Sequence, residues 1–270
     1  MEIHHAKKHL GQHFLKSPQA ITAMVEAAHI TEGDAVLEIG PGKGVLTRAL
    51  LAMGARVIAV EKDDDLLPIL QDAFAKEIAS GDLTLVSEDV RTFDPEAHGL
   101  FEGEYKLVAN IPYYITGEIF ELFLEHRAQP SVMVVLIQKE VAQRIVARGK
   151  QVNDQGKESI LSIAIKAYGI PRIVKTVSKK YFSPMPKVDS AILSINNISH
   201  NAFTDTEERV FFSLLKLGFS QKRKKLSGNI ASVIPKETFA SWCDANSVSP
   251  DVRPEDLSVE NWISLVALLH

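Results

Sequence analysis

Five short apolar runs punctuate the first half of the chain, at residues 35–39, 56–60, 83–86, 106–109 and 132–137. The stretches that follow them have a different period. Apolar residues recur at helical spacing over residues 45–53, 66–78, 117–125 and 140–148, which predicts strand and helix in alternation. Repeated units of this kind imply an α/β fold with a mostly parallel, Rossmann-like sheet covered on both faces. After a helical stretch at 159–168 come two further extended segments, 173–177 and 190–195, separated by Phe182-Ser183-Pro184-Met185-Pro186. They are expected to close the sheet as an antiparallel pair.

From Asn196 the pattern changes. The polar Asn196-Asn197-Ile198-Ser199-His200-Asn201 reads as a linker, and Thr206-Glu207-Glu208-Arg209 reads as a capped helix start leading into residues 210–217. Residues 236–245 and 259–269 also have helical spacing and little strand character. Two domains are therefore expected: a sheet domain over 1–195 and a small all-helical domain over 196–270.

The ends of the strands carry the chemistry. Glu38-Ile39-Gly40-Pro41-Gly42-Lys43-Gly44 follows the first strand and precedes a helix, and glycines at that turn let a ligand approach the backbone closely. Gly-x-Gly-x-Gly is not the Gly-x-Gly-x-x-Gly dinucleotide fingerprint, so the turn alone does not separate S-adenosyl-L-methionine from NAD. Glu61 ends the second strand and suits ribose hydroxyls; Asp89 follows the third and suits an adenine amino group. Asn110-Ile111-Pro112-Tyr113 follows the fourth. An amide oxygen, a rigid kink and an aromatic ring gathered there fit a flat base with an exocyclic amine, as adenine N6 requires. The plainer alternative is a strand end with a proline turn.

Composition narrows the class. With 270 residues, 46% of them hydrophobic and 24% charged, the chain can build one large core and a second small one. A single cysteine, Cys243, excludes an intramolecular disulfide and a multi-cysteine zinc site. No apolar run approaches the ~20 residues that span a bilayer, and the first residues lack an apolar signal region, so a cytoplasmic protein is expected. His4, His5 and His9 are not assigned to a metal. The formal net charge of −4 does not announce a nucleic-acid binder, yet residues 139–189 hold eleven cations against four anions. A second basic cluster is Lys222-Arg223-Lys224-Lys225. Affinity for phosphates depends on charge at the contact face rather than on the sum over the molecule.

Four separated motifs now stand in order: Lys8-His9-Leu10-Gly11-Gln12-His13-Phe14-Leu15, Glu38 to Gly44, Asn110 to Tyr113, and Phe182-Ser183-Pro184-Met185-Pro186-Lys187-Val188-Asp189-Ser190. Together they resemble the rRNA adenine N6,N6-dimethyltransferase family, and the bacterial small-subunit enzymes within it. The likeness covers almost the whole chain and extends to Leu217 through Leu226. It implies a class I methyltransferase sheet, S-adenosyl-L-methionine as cofactor, and methyl transfer to two adjacent adenosines in the 3′-terminal hairpin of 16S rRNA in a pre-30S particle. It also implies no metal and a monomeric enzyme. Cofactor contacts carried over from the family fall on His13, Leu15, Gly40, Gly42, Glu61, Asp89 and Asn110. Relatives usually have Asn where this chain has His13. Lys222, Arg223, Lys224 and Lys225 are the expected RNA contacts.

By the same resemblance, the Asn110 side-chain oxygen and the Ile111 carbonyl before Pro112 accept the amino protons of adenine. Tyr113 stacks on one face of the base and Phe182 supplies a second aromatic contact. Three other classes are weighed: an NAD-dependent oxidoreductase, a noncatalytic rRNA-binding assembly factor, and an adenine N6-methyltransferase acting on 23S rRNA or DNA. The first leaves Asn110 to Tyr113 without a role, and the intact Asn110, Pro112 and Tyr113 argue against the second.

Overall fold

The computed structural model describes residue 7 and residues 10–147, 157–221 and 223–269. His4, His5, His9, Arg148, Lys150 and Lys222 lie outside them. The chain forms two compact units, one from Met1–Ala142 with Ile170–Ile198 and the other from Gln143–Gly169 with Ser199–His270.

The first unit begins with β1 (Phe14–Leu15), α1 (Pro18–Ala27), β2 (Ala35–Ile39), α2 (Val45–Ala52) and β3 (Arg56–Glu61). It continues through α3 (Leu67–Ala73), α4 (Ala75–Ser80), β4 (Leu83–Ser87), β5 (Tyr105–Asn110), α5 (Thr116–Leu124) and β6 (Val132–Gln138). The chain leaves this unit within α6 (Lys139–Val146), passes through α7 (Ile160–Tyr168) in the second unit, and returns with β7 (Ile170–Val177), β8 (Phe182–Ser183) and β9 (Ser190–Asn196). The main sheet has seven strands in the order β4-β3-β2-β5-β6-β9-β7. Pairs from β4 to β6 are parallel, whereas β9 runs antiparallel to both β6 and β7. The antiparallel strand is thus inserted one place in from the edge.

Adjacent residues of a strand point to opposite faces. Val36 and Leu37 in β2, Leu107 and Val108 in β5, and Met133 through Ile137 in β6 are all fully buried, so both faces of the sheet are covered. Helix α1 was not anticipated from apolar spacing, although its start signals are plain: Ser17 Oγ accepts from the Ala20 N–H at 3.3 Å, and Pro18 opens the first turn. The helix expected over 66–78 breaks at Phe74, whose φ of −125° and ψ of 27° leave the helical region. The break drops the buried Phe74 ring beneath the glycine turn after β2, with the Arg48 guanidinium 4.7 Å from its centroid.

The second unit adds α8 (Asp205–Gly218), α9 (Leu226–Asn229), α10 (Lys236–Ala245) and α11 (Val259–Val266). Its core gathers Phe211, Leu215, Trp242, Trp262 and Leu265. Ile163 and Ala167 of α7 belong to that same core, so the boundary expected after residue 195 falls after Ile198 and is joined by two earlier crossings, after Ala142 and after Gly169: α7 buries its apolar side among helices. The cap of α8 is Thr204 rather than Thr206, closed by a reciprocal box with Glu207. Cys243 is buried. Among the described residues, no helix is long and apolar enough to cross a membrane.

Candidate active site

A cavity enclosing about 1170 Å³ of empty space, open solvent at its mouth included, lies at the carboxyl ends of β2, β3, β4 and β5. His13, Leu15, Gly40, Gly42, Glu61, Asp89 and Asn110 all line it, together with Ile111, Pro112 and Tyr113. That is where the parallel order predicts a ligand, since open α/β sheets bind outside the carboxyl ends of their strands.

The floor is the turn after β2. Gly40 and Gly44 have φ of +66° and +74°, a region that favours glycine. Space differs sharply between them. A Cβ at Gly40 would meet nothing within 4 Å, whereas one at Gly44 would lie 2.3 Å from the Phe74 ring. Gly40 therefore keeps open the approach to the cavity, and Gly44 lets the turn settle on Phe74. Glu61, at the end of β3, accepts the Gly42 N–H at 3.1 Å and the Asp63 N–H at 2.9 Å, one on each carboxylate oxygen. Burial raises its pKa above the usual carboxylate range, against those hydrogen bonds. Each oxygen keeps a lone pair for a ligand diol.

Sequence reasoning passed over Glu38 as a site residue. It lines the cavity, is 1% exposed, and its Oε2 has no partner. Burial, reinforced by the neighbouring Glu61 charge, pushes its pKa up to about 8. The signal was present as a lone acid inside an apolar strand. Asp89 shows the opposite behaviour. Its carboxylate receives the Arg91 guanidinium at 2.6 Å and Lys62 Nζ at 2.7 Å, and these hold it well below the ordinary range. Lys62 and Arg91, both lining the cavity, were likewise not singled out.

The opposite wall is built from distant segments. β1 pairs antiparallel with β8, Phe14 opposite Ser183 and Leu15 opposite Phe182. This brings His13 beside β5, where Asn110 Nδ2 donates to the His13 carbonyl at 2.9 Å. With its nitrogen committed, the Asn110 amide has its Oδ1 left to accept from a ligand. His13 Nδ1 donates to the Pro184 carbonyl at 2.8 Å, because a carbonyl can only accept. Its ring also stacks on Tyr113, with centroids 5.8 Å apart and planes at 27°. The Tyr113 hydroxyl shares a 2.7 Å hydrogen bond with Ser190 Oγ, which fixes the half-buried ring.

Phe182 departs from expectation. It is 4% exposed, packs in the sheet core with Leu15, Val177 and Ile192, and is absent from the cavity lining. Pairing with Leu15 turns its ring inward, so it anchors the β1–β8 ribbon instead of forming a second aromatic wall. Of the expected RNA contacts, Arg223, Lys224 and Lys225 are exposed, and Lys225 pairs with Asp251 at 2.6 Å. Lys222 lies outside the described residues.

Comparison with known proteins decides the family. The family model described as ribosomal RNA adenine dimethylase matches residues 3–270. The chain belongs to the ribosomal RNA adenine dimethylase family. Ribosomal RNA small subunit methyltransferase A of Dehalococcoides mccartyi is 38% identical to this dimethylase over 262 residues, covering 96% of this chain and 87% of the relative. The protein of the same name from Enterococcus faecalis is 37% identical, covering 96% and 88%. Among solved structures, a dimethyladenosine transferase from Plasmodium falciparum superposes with a TM-score of 0.73 at 26% identity, covering 94% of this dimethylase and 96% of that chain. The 23S rRNA methyltransferase ErmE superposes with a TM-score of 0.77 at 24% identity, covering 95% and 99%, a likeness of fold. The dimethylase uses S-adenosyl-L-methionine, and its cavity fits that group. Glu61 offers acceptors for two ribose hydroxyls and Asp89 one for an adenine amine.

Proposed function

We propose that the chain methylates N6 of two adjacent adenosines in the 3′-terminal hairpin of 16S rRNA, giving N6,N6-dimethyladenosine, and acts as a monomer on a pre-30S particle without a metal. The observation that carries the chemistry is the fixed Asn110 amide, whose Nδ2 is held by the His13 carbonyl at 2.9 Å. S-adenosyl-L-methionine supplies an activated methyl group, so the chain's residues have positioning as their main task. The N6 lone pair of adenine is delocalised into the ring and nucleophilicity is low. Accepting the amino protons at Asn110 Oδ1 and at the Ile111 carbonyl favours a pyramidal nitrogen, which aims that lone pair out of the base plane. Pro112 suits the corner because it has no N–H to compete with those acceptors. Tyr113, held by Ser190 at 2.7 Å, offers its ring face to a flipped base.

The cofactor-binding roles of His13, Leu15, Gly40, Gly42, Glu61 and Asp89 are part of the same reading. For His13 the support is architectural: its carbonyl orients Asn110 and its ring flanks Tyr113. RNA contact by Arg223, Lys224 and Lys225 is supported by their exposure.

The test is transfer of labelled methyl groups to 30S particles that lack the modification, read as dimethyladenosine in the 16S hairpin. No product from folded protein would sink the reading. Asn110→Ala should slow transfer about a hundredfold or more, the scale of a misplaced reacting group. The loss of one hydrogen bond should cost only about 1 kcal/mol of stability. Equal losses of folding and activity would assign Asn110 a structural role instead.

A further inference from the structure

From Ser159 to Val188 the sequence contains no Asp or Glu, in a chain whose formal net charge is −4. The cations of β7 and of the connection that follows it, Arg172, Lys175, Lys179, Lys180 and Lys187, are all exposed. None forms an ion pair among the described residues. That is unlike Lys62, Arg91, Lys106 and Lys157, each of which holds a carboxylate within 2.7 Å. Apolar groups stand among these free charges: Tyr181 is 40% exposed and Met185 61%. Lys180 Nζ lies 5.2 Å from the Tyr181 ring centroid. A solvated charge run has no reason to expose an aromatic ring and a methionine in its midst.

The position of the connection gives the patch a direction. Ser190 pairs with both Val177 and Gln138, the last residues of β7 and β6, so residues 178–189 cross the same carboxyl edge of the sheet as the active-site cavity. They are bound to its wall. The Lys16 N–H donates to the Tyr181 carbonyl at 2.8 Å, His13 Nδ1 donates to Pro184, and Tyr113 bonds Ser190. Lys179, Lys180, Lys187 and the exposed Tyr181 ring are therefore held at the edge where the pocket opens, with Arg172 and Lys175 continuing the strip back along β7.

We propose that the strip from Arg172 to Lys187 holds the RNA strand next to the flipped adenosine, its cations on phosphates and Tyr181 stacked on a neighbouring base. These residues belong to the first unit and the basic cluster after α8 to the second, and the inference rests on the reading of the substrate as rRNA. Free cations beside an exposed aromatic ring match single-stranded RNA, because lysines track the backbone while any base presents a face to stack. An acidic protein surface would have no use for the ring.

The experiment measures binding of a synthetic stem-loop RNA with two adjacent adenosines in its loop, and of unmodified 30S particles, across a salt series. K179Q/K180Q/K187Q should raise Kd for the stem-loop at least about tenfold and flatten the log–log salt slope by about 2, as expected for three single-strand phosphate contacts. Tyr181→Ala should weaken binding roughly tenfold and Tyr181→Phe should restore it, because stacking needs the ring and not the hydroxyl. Unchanged S-adenosylhomocysteine binding, measured by calorimetry, checks that each variant is folded. Unchanged stem-loop affinity and slope in the triple variant would overturn the proposal. So would weaker binding to particles with stem-loop binding intact, which would assign the strip to a protein partner. Failure of the wild-type protein to methylate particles would refute the reaction instead, and the stem-loop measurement would still decide the strip.

Discussion

Glu38 and Asp89 are two carboxylates in one cavity, held in opposite states by their surroundings. Asp89 is charged because Arg91 and Lys62 sit on it. Glu38 is buried, its Oε2 has no partner, and its pKa rises from the ordinary 4.5 to about 8. The folded state therefore binds a proton that the unfolded chain releases near its ordinary value. Stability from this group is complete below pH 4.5 and declines as the pH rises toward 8. The steepest decline is about 1.4 kcal/mol per pH unit. Glu38→Gln should flatten the fall of melting temperature between pH 5 and pH 8, as thermal unfolding at constant ionic strength would reveal. Parallel curves for the two proteins would show that Glu38 is ionised in the folded state. Asp89 bears on a different window, since a depressed pKa withdraws stability only under strongly acidic conditions.

At the scale of elements, the glycine turn separates two functions that the sequence motif runs together. Gly40→Ala adds a Cβ that meets no protein atom, so the protein should fold with a penalty of about 1–2 kcal/mol for its left-handed φ. Its affinity for S-adenosylhomocysteine should nevertheless fall, because the added methyl enters the cavity. Gly44→Ala places a Cβ 2.3 Å from Phe74, and overpacking of about 1–3 kcal/mol adds to the φ penalty. Calorimetry and thermal melts on the pair should reveal a binding defect in the first and a stability defect in the second. The strand ends carrying Gly40, Glu61, Asp89 and Asn110 were legible because buried strands leave apolar runs and their carboxyl ends share one edge. The β1–β8 ribbon was not legible: two residues per strand hold no period, and its partners are far apart in sequence. The inward turn of Phe182 follows from that ribbon and was hidden with it. The break at Phe74 was invisible for a related reason, since apolar spacing continues across it and only the ring's place under Gly44 explains it.

Across the whole molecule there are two compact units, and the chain crosses between them three times. Each unit should respond to damage separately. Trp262 is fully buried, and a Cβ at Gly218 would lie 2.3 Å from its ring, so the indole lies close against that helix backbone. Trp262→Ala should cost the helical unit about 3–5 kcal/mol. Hydrogen exchange should rise across residues 199–269, while S-adenosylhomocysteine binding in the first unit persists. Simultaneous loss of both would show one cooperative unit instead. The two crossings on either side of α7 were missed from sequence because α7 has the same amphipathic pattern whichever unit it packs in.

The ribbon that joins Phe14 to Ser183 also sets an order of events during synthesis. Chains emerge amino terminus first and fold as units become available. Here β1, the first strand among the described residues, has its partner 169 positions later. β2 through β6 can assemble a parallel sheet beforehand, but the wall that orients Asn110 and Tyr113 must wait for residues 182–190. Long-range pairing of this kind closes slowly compared with local contacts. The nascent protein thus acquires its sheet early and its catalytic wall late, when its first strand is placed at last.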